Sequence, residues 1–119
     1  MKKDFTIFLR HILECINRIE EYVNGMKEED FSSDSKTHDA VLRRLEIIGE
    51  AVKQIPEDLK EKYSHIPWKE FAGLRDILIH KYFGVDLHLT FQVIQKDLPK
   101  LKEEIHKILN QLEAESYEI

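Results

Sequence analysis

The stretch that decides the fold is Lys36-Thr37-His38-Asp39-Ala40-Val41-Leu42-Arg43-Arg44-Leu45-Glu46-Ile47-Ile48-Gly49-Glu50-Ala51-Val52-Lys53-Gln54-Ile55. Val41, Leu45, Ile48, Val52 and Ile55 alternate at steps of four and three, which aligns them along one side of a helix. A strand would need every second residue apolar, and the stretch does not provide that. At about 100° per residue, Arg43, Glu46 and Glu50 fall on the side opposite the stripe. That side reads either as a solvated charged face or as the wall of a polar cleft. Ser32, Ser33, Asp34 and Ser35 offer N-cap side chains ahead of the helix, and Pro56 ends it.

The same spacing extends in both directions. A first helix is expected from about Asp4 to Val23, with Phe5, Phe8, Leu9, Ile12, Ile16, Ile19 and Val23 on one face and Asn24-Gly25 as its stop. A polar linker separates it from the second helix. Glu57 to Ser64 suits one or two helical turns. Ile66-Pro67-Trp68 opens a third main helix, which runs to Tyr82 or Phe83 and is capped by Gly84. The last helix starts near Asp86 and carries Leu87, Phe91, Ile94, Leu98, Leu101, Ile105, Ile108 and Leu112. Pro99 should kink it or split it after Leu98. Amphipathic helices on short links predict an all-α, antiparallel four- to five-helix bundle over a single domain, residues 1–119.

Composition narrows the function classes. The chain has 119 residues, and that length excludes a second full hydrophobic core. Its 42% hydrophobic content supports a core and exceeds that of a disordered chain. Four Gly and three Pro are too few for an all-β protein rich in tight turns. No stretch approaches the ~18 apolar residues of a membrane span, so no membrane partner is expected. Met1-Lys2-Lys3-Asp4 leads into an amphipathic run, unlike a signal peptide. The lone Cys15 excludes an intrachain disulfide and a cysteine zinc cage, makes a reducing cytoplasm the simplest setting, and reads as a semi-buried apolar contact. The net charge of −5 means that nucleic-acid binding has to rest on a local site. DNA is not an expected partner. His11, His38, His65, His88 and His106 lack metal-ligand spacing and read as surface or packing residues.

The chemistry concentrates in Gly73-Leu74-Arg75-Asp76-Ile77-Leu78-Ile79-His80-Lys81-Tyr82-Phe83. On a continuous helix, Asp76 and His80 would stack one turn apart, and the carboxylate could accept the ring N–H. Arg75 and Tyr82 would share another face. Arg75 and His80 would lie about 140° apart, too far to aim at one atom from a straight helix. Either the helix distorts near its end, or two copies of the motif meet across a two-fold axis. Imidazole moves protons near neutral pH, and guanidinium forks onto phosphate oxygens. That set suits transesterification of an RNA phosphodiester, which supplies its own 2′-hydroxyl nucleophile and needs no cofactor. An Arg, an Asp and a His near a helix end also suit a surface ion pair and a helix-dipole contact.

Arg75-Asp76, then Ile79-His80-Lys81-Tyr82, fits the R-x4-H-x-Y pattern of the HEPN superfamily and resembles its HepT-type toxins. Ala40-Val41-Leu42-Arg43, the block Leu45 to Ala51, Ile66-Pro67-Trp68 and Asp97-Leu98-Pro99 occur in the family's order. The resemblance implies an all-α bundle that dimerises and builds a composite active site from two motifs. It implies a metal-independent endoribonuclease toxin of a type VII-like toxin–antitoxin system. Arg75 and His80 would be catalytic, with Asp76, Glu50, Arg43 and Lys81 in support. Asp76 stands where many relatives have Asn. The implied partner is an MNT-type (MntA-like) nucleotidyltransferase antitoxin that transfers AMP onto Tyr82. The competing reading is a non-catalytic helical docking or substrate-presenting subunit for such a nucleotidyltransferase.

Overall fold

The computed structural model describes residues 4–80 and 84–117, with side chains through 79 in the first segment and through 115 in the second. The elements are α1 (Thr6–Tyr22), α2 (Glu28–Ser32), α3 (Ser35–Lys53), α4 (Glu57–Lys62), α5 (Trp68–Ala72), α6 (Leu74–Leu78), β1 (Ile79–His80), β2 (Gly84–Val85), α7 (Leu87–Gln92), a π-helical turn (Val93–Asp97) and α8 (Leu98–Tyr117). The fold is all-α among the described residues, apart from the two-residue β1–β2 pair. Among the described residues, no helix is long and apolar enough to cross a membrane.

The core forms where the predicted stripes meet. α1 packs along α3, and α8 lies against α1. Leu9, Ile12, Ile16 and Ile19 of α1 are fully buried, as are Val41, Ile48 and Val52 of α3 and Ile105 and Ile108 of α8. Burying each such side chain contributes roughly 1.5–3 kcal/mol before chain entropy is set against it. Cys15 lies deeper than expected, at 2% exposure, and burial pushes its thiol pKa up.

The segment between the first two main helices is a helix, not merely a polar linker. Phe31 explains it: the ring is fully buried, 5.6 Å from Phe91 and 5.0 Å from His38. One large apolar side chain in a polar run has too little periodicity to read from sequence. Of the four candidate caps ahead of α3, Asp34 acts, accepting from the Thr37 N–H at 3.1 Å. That bond holds its carboxyl below the usual range.

Three further expectations are corrected, two of them near the chemistry-bearing segment. The third main helix does not reach Tyr82 or Phe83. It is interrupted at Gly73 and ends at Leu78. Ile79 is extended (φ −107°, ψ 118°), and the Leu78 carbonyl accepts from the Asp86 N–H at 2.7 Å. Ile79 then pairs with Val85 and His80 with Gly84 in an antiparallel register. β-Branched Ile79 favours that extended conformation. Gly84 is therefore a strand residue at φ +75°, where it avoids the penalty a Cβ would bring, and it does not cap a helix. Pro99 sits in the first turn of α8, so the helix is not split after Leu98. Proline has no N–H to give the Gln95 carbonyl, and its ring crowds that group. The π turn just before it accommodates the defect.

α3 meets α5 unusually closely. A Cβ on Gly49 would lie 3.0 Å from the Ala72 carbonyl oxygen and 3.3 Å from that of Phe71. Gly49→Ala should therefore destabilise the fold by about 1–3 kcal/mol through overpacking. Helix propensity alone would give a gain of roughly 1 kcal/mol, so the sign of the change in urea midpoint decides between them.

Side-chain bridges add a pH-sensitive contact. His88 Nδ1 of α7 lies 2.9 Å from a Glu28 carboxylate oxygen of α2. Hydrogen bonding to Glu28, then its charge, raises the imidazole pKa above its ordinary 6.5. The stabilisation is full below the unfolded pKa, provided Glu28 is ionised, and is lost as pH rises through the folded one. The melting temperature of His88→Gln should trail the parent's most near pH ~5.5, and the gap should close by pH ~9. A gap that widens with rising pH would contradict this assignment.

Candidate functional site

α3 supplies one wall of a polar cleft, and the junction of α5 and α6 supplies the other. The cleft has a volume of about 180 Å³. Glu46, Glu50 and Lys53 project from α3, facing Arg75 and Asp76 of α6, with Gly49 and Gly73 between them. Both readings of the polar face of α3 hold in part: Glu46 and Glu50 line the cleft, while Arg43 stands beside it, 67% exposed. The close approach at Gly49 is what brings α3 near enough to α6 for side chains to meet.

Glu46 makes the central contacts. Its Oε2 lies 3.7 Å from Arg75 Nε, and its Oε1 lies 3.5 Å from Arg43 Nη1. One carboxylate thus links two guanidinium groups on different elements. Glu50 pairs along its own helix with Lys53, at 3.4 Å. The Arg75 side chain is 57% exposed and that of Glu46 42%. A pair this exposed contributes about 0–1 kcal/mol to stability. Its effect on where the guanidinium sits therefore outweighs its effect on folding.

The structure brings together Arg75, Asp76 and Glu50, and it adds Arg43 through Glu46. His80 lies in β1 beyond the end of α6, so the one-turn helical spacing expected between Asp76 and His80 does not hold for the backbone. The helical angle of about 140° between Arg75 and His80 therefore no longer applies. The His80 side chain, Lys81 and Tyr82 lie outside the described parts of the molecule.

Sequence reasoning put Glu46 on the polar face but gave it no role. The Arg43–Glu46 spacing of three was its visible signal; the contact with Arg75 spans separate helices and left none. The importance of Gly49 had one faint sign, a glycine in the middle of a strongly amphipathic helix.

Charges in and beside the cleft nearly balance. Glu46, Glu50 and Asp76 face Lys53 and Arg75, with Arg43 next to them. With no excess of positive charge, the cleft is not a basic groove of the kind that tracks a nucleic-acid backbone. Among the described residues, no group of three or more His, Cys, Asp or Glu side chains is arranged to hold a metal ion. The other described histidines act as expected. His65 pairs with Glu104 at 2.8 Å, His38 bonds the Phe31 carbonyl, and His88 bridges to Glu28.

A second cleft of about 410 Å³ lies between α5–α6 and the π turn with α8. Its floor is apolar, with Ile66, Phe71, Leu74 and Leu101, and Arg75 is not among its lining residues.

Comparison with known proteins places the chain in a family. The family model described as "HepT-like: Ribonuclease HepT-like" matches residues 12–108. A Methanocaldococcus jannaschii protein named gamma-glutamylcyclotransferase and putative RNase is 60% identical over 95% of this chain. The chain spans 51% of that relative's length. A second protein from the same organism, named a putative RNase, is 45% identical over 95% of this chain and 93% of its own. A Thermococcus cleftensis protein named probable ribonuclease HepT is 46% identical over 91% of this chain and 98% of its own. No solved structure matches the chain. With nearly its whole helical core covered by the family model and by these relatives, the chain belongs to the HepT-like family of the HEPN superfamily.

Proposed function

We propose that this chain is an endoribonuclease that cleaves RNA by 2′-hydroxyl transesterification. The observation that carries the reading is Arg75 at the cleft between α3 and α6, five residues before His80, in a chain whose relatives are named ribonucleases. The imidazole of His80 takes the proton from the 2′-hydroxyl. The 2′-oxygen attacks phosphorus, and the bond from phosphorus to the 5′-oxygen breaks. Arg75 stabilises the charge that builds on the non-bridging oxygens. A protonated imidazole from a second copy gives its proton to the departing 5′-oxygen. The products are a 2′,3′-cyclic phosphate and a free 5′-hydroxyl. RNA provides the nucleophile, and the scheme calls for no metal.

The composite site requires a homodimer. Asp76, Glu50, Arg43 and Lys81 act as supporting groups. The biological setting we propose is a toxin, with a nucleotidyltransferase antitoxin that transfers AMP onto Tyr82. An added phosphate and base two residues beyond His80 would fill the cleft and repel the RNA backbone. The near balance of charge in the cleft favours one other reading, in which the bundle is a non-catalytic docking subunit for the nucleotidyltransferase.

His80→Ala should lower the cleavage rate by roughly 10²–10⁴-fold while leaving helix content and the dimer unchanged. Arg75→Ala should lower it by about 10²–10³-fold. EDTA should leave the parent rate unaltered, and cleavage by clean His80→Ala at the parent rate would refute the assignment. Incubation with the nucleotidyltransferase and ATP should add AMP mass to the parent and none to Tyr82→Phe. AMP addition to a parent that never cuts RNA would establish the docking reading instead.

A further inference from the structure

We propose that Glu46 is a positioning residue for Arg75, holding the guanidinium by Nε and leaving its terminal nitrogens free to fork onto a phosphate. The inference deepens the ribonuclease reading above and rests on it for its functional part.

Arg75 has a long side chain on a five-residue helix, bounded by Gly73 on one side and β1 on the other. More than half of that side chain is in solvent. Left alone, such a side chain samples many rotamers, and a flexible fork loses much of its value for catalysis. Glu46 stands on a far stiffer support, the 19-residue α3 with its continuous buried stripe. It also lies one turn before Gly49, where α3 touches the carbonyl of Ala72. The anchor is thus fixed at the closest approach between the two walls of the cleft.

The contacting atom gives the contact its meaning. Glu46 Oε2 approaches Arg75 at Nε, on the stem side of the guanidinium. A carboxylate placed on the terminal nitrogens would compete with substrate for the same donors. One drawn to Nε, here at 3.7 Å and so an ion pair longer than a hydrogen bond, restrains the group from its stem side. The other oxygen, Oε1, faces Arg43 Nη1, which steadies the carboxylate from the opposite side. Glu50 is paired with Lys53 and does not take this place. Arg43 thereby acquires a role through Glu46, as the brace of the anchor.

The test joins a spectroscopic readout to a kinetic one. Heteronuclear NOE values at the Arg75 Nε–Hε are measured by nitrogen-15 NMR in the parent, Glu46→Ala, Glu46→Gln and Arg75→Ala, the last to assign the signal. RNA cleavage is measured on the same four proteins. The Arg75 signal should be rigid in the parent, mobile in Glu46→Ala and intermediate in Glu46→Gln, which keeps an acceptor. In Glu46→Ala, kcat should fall about tenfold while KM stays the same or falls slightly, since Arg75 keeps its charge and one negative charge leaves the cleft. Glu46→Gln should recover part of the loss. Equal mobility in the parent and Glu46→Ala would overturn the proposal. So would faster cleavage and lower KM in Glu46→Ala, the mark of a competitor for the fork. If neither the parent nor Arg75→Ala cut RNA while the NOE pattern held, the ribonuclease reading would fall and the anchor would stand. If Arg75→Ala abolished cleavage while Glu46→Ala changed neither readout, the reverse would follow.

Discussion

The site depends on a backbone contact. α3 can lie against the end of α5 only because residue 49 has no side chain: a Cβ there would sit 3.0 Å from the Ala72 oxygen. Bringing the helices this close places Glu46 opposite Arg75 and closes the polar cleft between them. The apolar stripes of α1, α3 and α8 set the bundle, but they would tolerate a looser fit at this corner. Interiors pack densely, so a small displacement of α5 would be transmitted to α6 and to the guanidinium it carries.

The second determinant is the early end of α6. A helix continued through Tyr82 would aim Arg75 and His80 in divergent directions. Instead the chain turns extended at Ile79 and pairs through His80 with Gly84. The helix end is thus distorted within one chain. Under the proposed mechanism a second copy would still be needed, to supply the second imidazole for the proton transfers.

Much of the fold was legible because helices with continuous stripes announce themselves. α1 and α3 follow their apolar periodicity to within a few residues, α4 falls within the expected turns from Glu57 to Ser64, and the last stripe runs on through α7, the π turn and α8. Illegible parts were those set by a single residue or by tertiary contact. Phe31 makes α2 by filling the core, and one aromatic in a polar run carries no period. The break at Ile79 arises from pairing with β2, a partner that local propensity does not contain. In the site, Arg75, Asp76 and Glu50 were legible by residue type and share a cleft. The role of Glu46 was not, because it depends on which helix faces α3 and at what distance.

The central claim is that the working groove is shared, with one imidazole drawn from each copy. Mixing parent chains with His80→Ala chains in equal amounts, after unfolding and refolding together, tests it most directly. Random exchange should leave about a quarter of the dimers fully parental and place about half in mixed form. The account predicts that cleavage falls to about a quarter of that of the same amount of parent, since a mixed dimer keeps only one of the two imidazoles. Cleavage at about half the parent value, with mixed dimers verified by mass spectrometry, would contradict it, because each copy would then cut on its own.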